Sequence, residues 1–212
     1  MIITNQGLEF FKVQFGDIIL AMNPISKESK IKSARFGADV ALVSLNHPDM
    51  NGVESVAYSD REPFGITGPG EYEIKDVFIK GFASKSNYGG EERINTIYHI
   101  QLEGMNLCFL GALGDKNLSQ EAKESMENID VLFVPIGGAG VLEPDEAYNY
   151  AVSLEPRMII PMHYDLPENK NTLTQFLKES GNDKVKPLDK LTLKKKDLDG
   201  KEGEIVVLEP QN

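Results

Sequence analysis

Ala38-Asp39-Val40-Ala41-Leu42-Val43-Ser44 runs directly into Leu45-Asn46-His47-Pro48-Asp49-Met50-Asn51-Gly52. The first seven residues form an almost unbroken apolar run of strand length, the pattern of a strand buried on both faces. The next eight are rich in Asn, Pro, Asp and Gly, which favour turns. A strand that stops at a polar loop fixes the loop's first residues, so such a junction can hold side chains for chemistry. His47 and Asp49 are two positions apart and could both turn toward one ion; a plain surface loop with one histidine would read the same.

The pattern recurs downstream. A strand ending at Leu110 leads into Gly111-Ala112-Leu113-Gly114-Asp115, and a strand ending at Pro161 leads into Met162-His163-Tyr164-Asp165. Three buried strands ending this way match a shared rim at one edge of a sheet. Strands are also expected over 8–13 and 17–22, joined by a turn at Gly16, and over 77–81, 96–102 and 106–110. Glu103-Gly104 is a hairpin turn between the last two. Helices are expected from a Ser119 cap to about Asn128, from Pro144 to about Leu154, and from Thr172 to Ser180 before Gly181. Strands 131–135 and 158–161 alternate with them, which suggests helices covering a sheet. The polar stretch 182–202 reads as an excursion before a last strand at 204–208.

The chain has 212 residues, 41 % of them hydrophobic, enough for a real core, and one domain over 1–212 is expected. The net charge of -11 argues against nucleic acid as a partner. Lys194-Lys195-Lys196 interrupts the acidity and reads as a solvated loop. No apolar run approaches the roughly 20 residues that cross a bilayer, so no membrane association is expected. The start lacks a signal-peptide pattern, and the one cysteine, Cys108, has no partner for a disulfide. A cytoplasmic location is the expectation.

Read in order, these segments resemble the metallo-β-lactamase superfamily, and within it a small branch of Zn-dependent hydrolases related to ascorbate-phosphate lactonases. That branch has an Ala-Asp-Val-x-Leu-Val-Ser strand followed by His-x-His-x-Asp-His, where this chain has 38–44 and then 45–50. Its Pro-Gly-Glu-Tyr, Val-x-Ile-x-Gly and Asn-Thr-Ile-Tyr segments match 69–72, 77–81 and 95–98. Leu-Gly-Asp-Leu-Gly-His corresponds to a segment opening at Leu110, and Pro-x-Gly-Gly and Ile-Ile-Pro-Met-His-Tyr match 135–138 and 159–164. The resemblance covers about three quarters of the chain. It implies an αββα sandwich, two mixed sheets face to face with helices outside and the site at one edge.

The resemblance also implies a ligand set for two metals. Carried over by position, the first metal's two loop histidines fall on Leu45 and His47, and its later histidine falls near Ser86. The second metal's ligands fall on Asp49, Met50 and His163, and the bridging aspartate falls on Ala112. An early Gly-His segment becomes Gly7-Leu8. Three ligands survive, His47, Asp49 and His163, and they are split between metals that sit about 3.5–4 Å apart in such enzymes. The first expectation is therefore a degenerate site with no catalytic residue, no bound metal and no cofactor. The chain would act as a binding or interaction module for a small molecule or a protein. The alternative is a lactone or phosphodiester hydrolase with a single zinc or other divalent metal rebuilt on His47, Asp49 and His163, helped by Asp115. A third reading has a partner subunit or the C-terminal segment completing the site. Outside this set, Cys108 reads as a core residue, His99 reads as structural or exposed, and Gly137-Gly138-Ala139-Gly140 could cradle an anion or simply make turns.

Overall fold

The computed structural model describes residues 1–32, 34–166 and 169–211. Strands β1 (Ile2–Asn5), β2 (Phe11–Phe15) and β3 (Ile18–Met22) form an antiparallel meander. It is extended in parallel by β4 (Val40–Leu42) and β5 (Phe64–Ile66). The second sheet opens with β6 (Gly70–Ile74), β7 (Val77–Ser86), β8 (Arg93–Leu102) and β9 (Met105–Phe109), all antiparallel. After helix α1 (Gln120–Ser125) the chain adds β10 (Val131–Pro135), helix α2 (Pro144–Ser153), β11 (Met158–Met162) and helix α3 (Thr172–Glu179). Strand β12 (Leu191–Thr192) returns to the edge of the first sheet beside β1, and β13 (Glu204–Ile205) closes the second beside β11. Both sheets are mixed: β9, β10, β11 and β13 run parallel, the rest of the second sheet antiparallel.

The two sheets face each other across one apolar core that includes Phe11, Leu20, Leu42, Tyr98, Phe109, Phe133 and Ile160. The Tyr98 hydroxyl donates to the Val43 carbonyl at 2.7 Å, tying the second sheet to the first just before the 45–52 loop. Helices α1, α2 and α3 bury Ala122, Ala147, Ala151 and Phe176 against the outer face of the second sheet. Among the described residues, the first sheet's outer face is covered by a strap bearing Ile25, Ile31, Phe36 and Ala38, with a short 3₁₀ turn at Val53–Val56. No described helix is long and apolar enough to cross a membrane.

Most expected elements form within a few residues of their expected bounds. Ser119 Oγ accepts the Ala122 N–H, capping α1, and Gly181 at φ +67° ends the turn after α3. Two expectations change. The strand expected over 8–13 forms at Phe11–Phe15, and β1 precedes it. The polar stretch from 182 is no loose excursion: Leu191, Leu193 and Leu198 insert into the intersheet core. Of the basic cluster there, Lys195 is pinned, its Nζ donating to Asp130 at 2.8 Å and to the Gly104 carbonyl at 2.6 Å.

Candidate functional site

The loop after β4 turns sharply, with the Met50 N–H donating to the His47 carbonyl at 2.8 Å. This places His47 and Asp49 side by side, Nδ1 of one 3.4 Å from Oδ2 of the other, with side chains 23 % and 15 % exposed. Both Asp49 oxygens are hydrogen-bonded. Its Oδ1 accepts from Ser29 Oγ, and its Oδ2 accepts from the Tyr88 hydroxyl at 2.7 Å.

His163 follows β11 and is 1 % exposed. Its φ of +65° is a left-handed conformation that is costly for a side chain with a Cβ. The conformation is held by its N–H donating to the Leu8 carbonyl at 2.8 Å and by Asn169 Nδ2 donating to its carbonyl at 3.1 Å. A Cβ at Gly137 would come within 2.5 Å of the His163 ring, so glycine there is what lets the imidazole in. His163 Nδ1 lies 2.7 Å from Oε1 of Glu9, a wholly buried carboxylate whose Oε2 accepts from Asn23 at 2.8 Å. A carboxylate accepts, which assigns the Nδ1 proton to the imidazole and leaves Nε2 as its open nitrogen.

Tyr88 joins the two histidines. Its ring centroid is 4.9 Å from that of His47 and 5.0 Å from that of His163, edge-on to both. The turn carrying it is fastened by Ser86, whose Oγ accepts the Tyr88 N–H at 3.2 Å, and by the Asn87 N–H donating to the Gly140 carbonyl at 3.0 Å. The three surviving residues do converge, therefore, but around a tyrosine.

Leu45, Met50 and Ala112, three of the positions on which the resemblance places ligands, lie in one apolar cluster. Leu8, Leu45, Met50, Ala112 and Val141 pack together, none more than 6 % exposed. Leu8, at φ +56°, is clamped by its N–H donating to both carboxylate oxygens of Asp165 at 2.9 and 3.0 Å. Among the described residues no group of three or more His, Cys, Asp or Glu side chains is arranged to hold a metal ion. An ion here would face hydrocarbon on one side, where an uncompensated charge costs several kcal/mol. The side chains present do not fit the two-metal centre that the resemblance implies.

Of the other candidates, Asp115 accepts from Asn117 at 2.9 and 2.8 Å within its own turn and gives the site no visible help. The glycine loop is no open anion cradle. The Glu143 carboxylate lies against Gly138, 2.7 Å from where a Cβ would stand, and takes up that space. Cys108 is buried, and burial pushes its thiol pKa up to about 12. His99 has its pKa lowered by burial first and then by the Lys80 charge, and its Nε2 finds no partner among the described residues. Sequence reasoning missed Glu9, Ser29, Asn23 and Tyr88. Only Glu9 left a signal, a carboxylate inside the apolar run at 8–13.

A family model described as a beta-lactamase superfamily domain matches residues 3–163. A UPF0173 metal-dependent hydrolase of Ligilactobacillus salivarius is 27 % identical over 84 % of this chain and 92 % of its own length. A UPF0173 protein of Pyrococcus abyssi is 38 % identical over 61 % of this chain and 60 % of the relative. A shorter match, 37 % identical, spans only 28 % of a UPF0173 metal-dependent hydrolase from Polynucleobacter asymbioticus. The structure of a proposed Zn-dependent hydrolase of the metallo-β-lactamase superfamily from Thermotoga maritima superimposes with a TM-score of 0.75. It is 29 % identical and covers 98 % of this chain and 97 % of that one. These names correct the expectation of no cofactor: the relatives are metal-dependent hydrolases by name, and a divalent metal is what that kinship implies. Fold, ordered motifs and family match agree, and the chain belongs to the metallo-β-lactamase superfamily.

Proposed function

We propose that this chain uses the rim of a metallo-β-lactamase fold to bind a small molecule or a protein and does not carry out the two-metal hydrolysis of its relatives. The apolar cluster of Leu8, Leu45, Met50, Ala112 and Val141 carries this reading. A metal-activated hydroxide needs a polar, partly open coordination sphere, and here hydrocarbon stands at three of the inferred ligand positions, Leu45, Met50 and Ala112. Tyr88 supports it further, because its hydroxyl satisfies the Asp49 oxygen that faces His47.

One observation favours a second reading, a lactone or phosphodiester hydrolase with a single metal rebuilt on His47, Asp49 and His163. Glu9 orients His163 as carboxylates orient metal-binding histidines, leaving Nε2 available. The names of the relatives point the same way. Purified chain and its His163→Ala variant, each incubated with zinc, manganese or iron(II), would be assayed on lactone and phosphodiester substrates, with metal content measured in parallel. The first reading expects the two proteins to show the same background turnover. Stoichiometric metal and hydrolysis that both disappear in His163→Ala would refute it and establish the second.

A further inference from the structure

The outer face of the first sheet holds a groove of about 250 Å³, away from the rim, lined by Ile2, Thr4, Gln6, Lys12, Gln14 and, from the strap, Ala34 to Phe36, with Gln211 at one end. The antiparallel register sets Thr4 opposite Lys12 and Ile2 opposite Gln14, so alternate residues of β1 and β2 form one wall. Ala34, Arg35 and Phe36 form the other.

Its chemistry contrasts with the rest of the molecule. The chain carries 33 acidic residues against 22 basic ones, yet no Asp or Glu is among the groove's described lining residues. Two cations, three amides and a hydroxyl are. Lys12 Nζ sits 5.0 Å from the centroid of the Phe36 ring, a cation–π contact that positions the ammonium without neutralising it. Neither Lys12 nor Arg35 forms an ion pair with a described residue, and neither do Lys30 and Lys32 farther along the strap. Gln6 is 7 % exposed and donates one amide hydrogen to Thr4 Oγ1 at 3.0 Å, which fixes its amide at the groove wall. Cations without a described counter-charge on a strongly acidic protein raise its affinity for foreign anions, and here they collect in one concave place.

We propose that this groove binds a small phosphorylated molecule, with Lys12 and Arg35 dividing the phosphate charge and the Thr4 and Gln6 groups donating to its oxygens. A phosphate matches the donors better than a carboxylate does. It presents three or more acceptor oxygens and a double charge to an Arg fork and a Lys point charge set on opposite walls. Lys30 and Lys32 extend the positive field along the approach.

The test is calorimetric titration of the full chain with glycerol 3-phosphate, with glycerol and acetate as comparisons, alongside amide NMR shifts at Thr4 and Gln6. Saturable one-site binding of glycerol 3-phosphate alone is expected, with shifts at those two residues. Lys12→Met and Arg35→Gln should each weaken it at least tenfold, while Lys196→Gln, an exposed lysine elsewhere, leaves it unchanged. Arg35 is exposed, so its variant keeps the test valid even if Lys12→Met perturbs folding. Absence of saturable binding, equal binding of acetate, an unchanged affinity in Arg35→Gln, or equal weakening by Lys196→Gln would each overturn the proposal.

Discussion

Met50→His restores, by position, the third inherited ligand beside Asp49 and His163, and it does so inside the apolar cluster. Met50 is 0 % exposed and packs with Leu8, Leu45, Ala112 and Val141. Removing a fully buried methionine forfeits about 1.5–3 kcal/mol of transfer free energy. Placing an imidazole there without a hydrogen-bond partner adds about 1–3 kcal/mol. The variant should therefore lose about 3–5 kcal/mol, a large share of the roughly 5–15 kcal/mol typical of a folded domain. With a urea dependence of about 3 kcal/mol per molar, the unfolding midpoint falls by about 1 M or somewhat more. Zinc at a hundredfold over its dissociation constant would return about 2.7 kcal/mol, most of that loss. The assay is urea unfolding of parent and variant, each with and without zinc, the parent's own response serving as reference. A metal-free loss below about 1 kcal/mol would mean the cluster is not closed hydrocarbon. A variant that gains no more from zinc than the parent would mean that position 50 does not face the site shared by Asp49 and His163. Either result refutes the reasoning from this packing to lost ligands.

Two further predictions concern the scaffold. Asp39 accepts from Lys75 at 2.7 Å, Arg61 at 3.1 Å and the Ile19 N–H at 2.8 Å. Burial alone would raise its pKa, but these bonds and the two positive charges outweigh it and hold the carboxyl below its ordinary range. A depressed folded-state pKa contributes stability that is present above the ordinary carboxylate pKa of about 4 and is lost as pH falls through the folded value. Asp39→Asn should cost about 1–2 kcal/mol at pH 7, and the difference from the parent should vanish in strong acid; thermal unfolding across pH 2–7 measures it, and a pH-independent difference would count against this account. Cys108, buried with its thiol pushed up to about 12, should react with a disulfide reagent at pH 8 only as fast as the protein unfolds. Rapid labelling of the native protein would place that thiol at the surface.

The strand-and-loop order was legible because burial leaves a local trace. Val40, Ala41 and Leu42 are all fully buried, so β4 is apolar at every position and stands out from its surroundings. The turns were legible for the same local reason: Glu103 and Gly104, both at positive φ, close the β8–β9 hairpin where the dipeptide said they would. The C-terminal excursion was misread because its burial is sparse. Leucines at 191, 193 and 198 enter the core between lysines and aspartates that stay outside, and so sparse a pattern matches no standard period.

The site divides along the same physical line. Leu45, Met50 and Ala112 could be set against the family's ligand positions because each sits in an ordered motif, while the later histidine is placed only near Ser86. What now occupies their place could not, because its parts come from segments far apart in the chain. Glu9 meets His163 across 154 positions, and Tyr88 meets Asp49 across 39. No periodicity or capping rule reaches over such distances. The four positions where the resemblance implies a ligand and this chain has none hold three apolar residues and one serine, and the structure gives each a use. Leu45, Met50 and Ala112 close a dry cluster, and Ser86 holds the turn that presents Tyr88. A site decaying without constraint would leave unpaired polar groups in its buried remains, each costing about 1–3 kcal/mol. Here both Asp49 oxygens, both Glu9 oxygens and His163 Nδ1 have partners. That pairing, with the hydrocarbon at Leu45, Met50 and Ala112, is what the proposed binding reading draws on, and an open Nε2 on His163 is what the metal reading draws on.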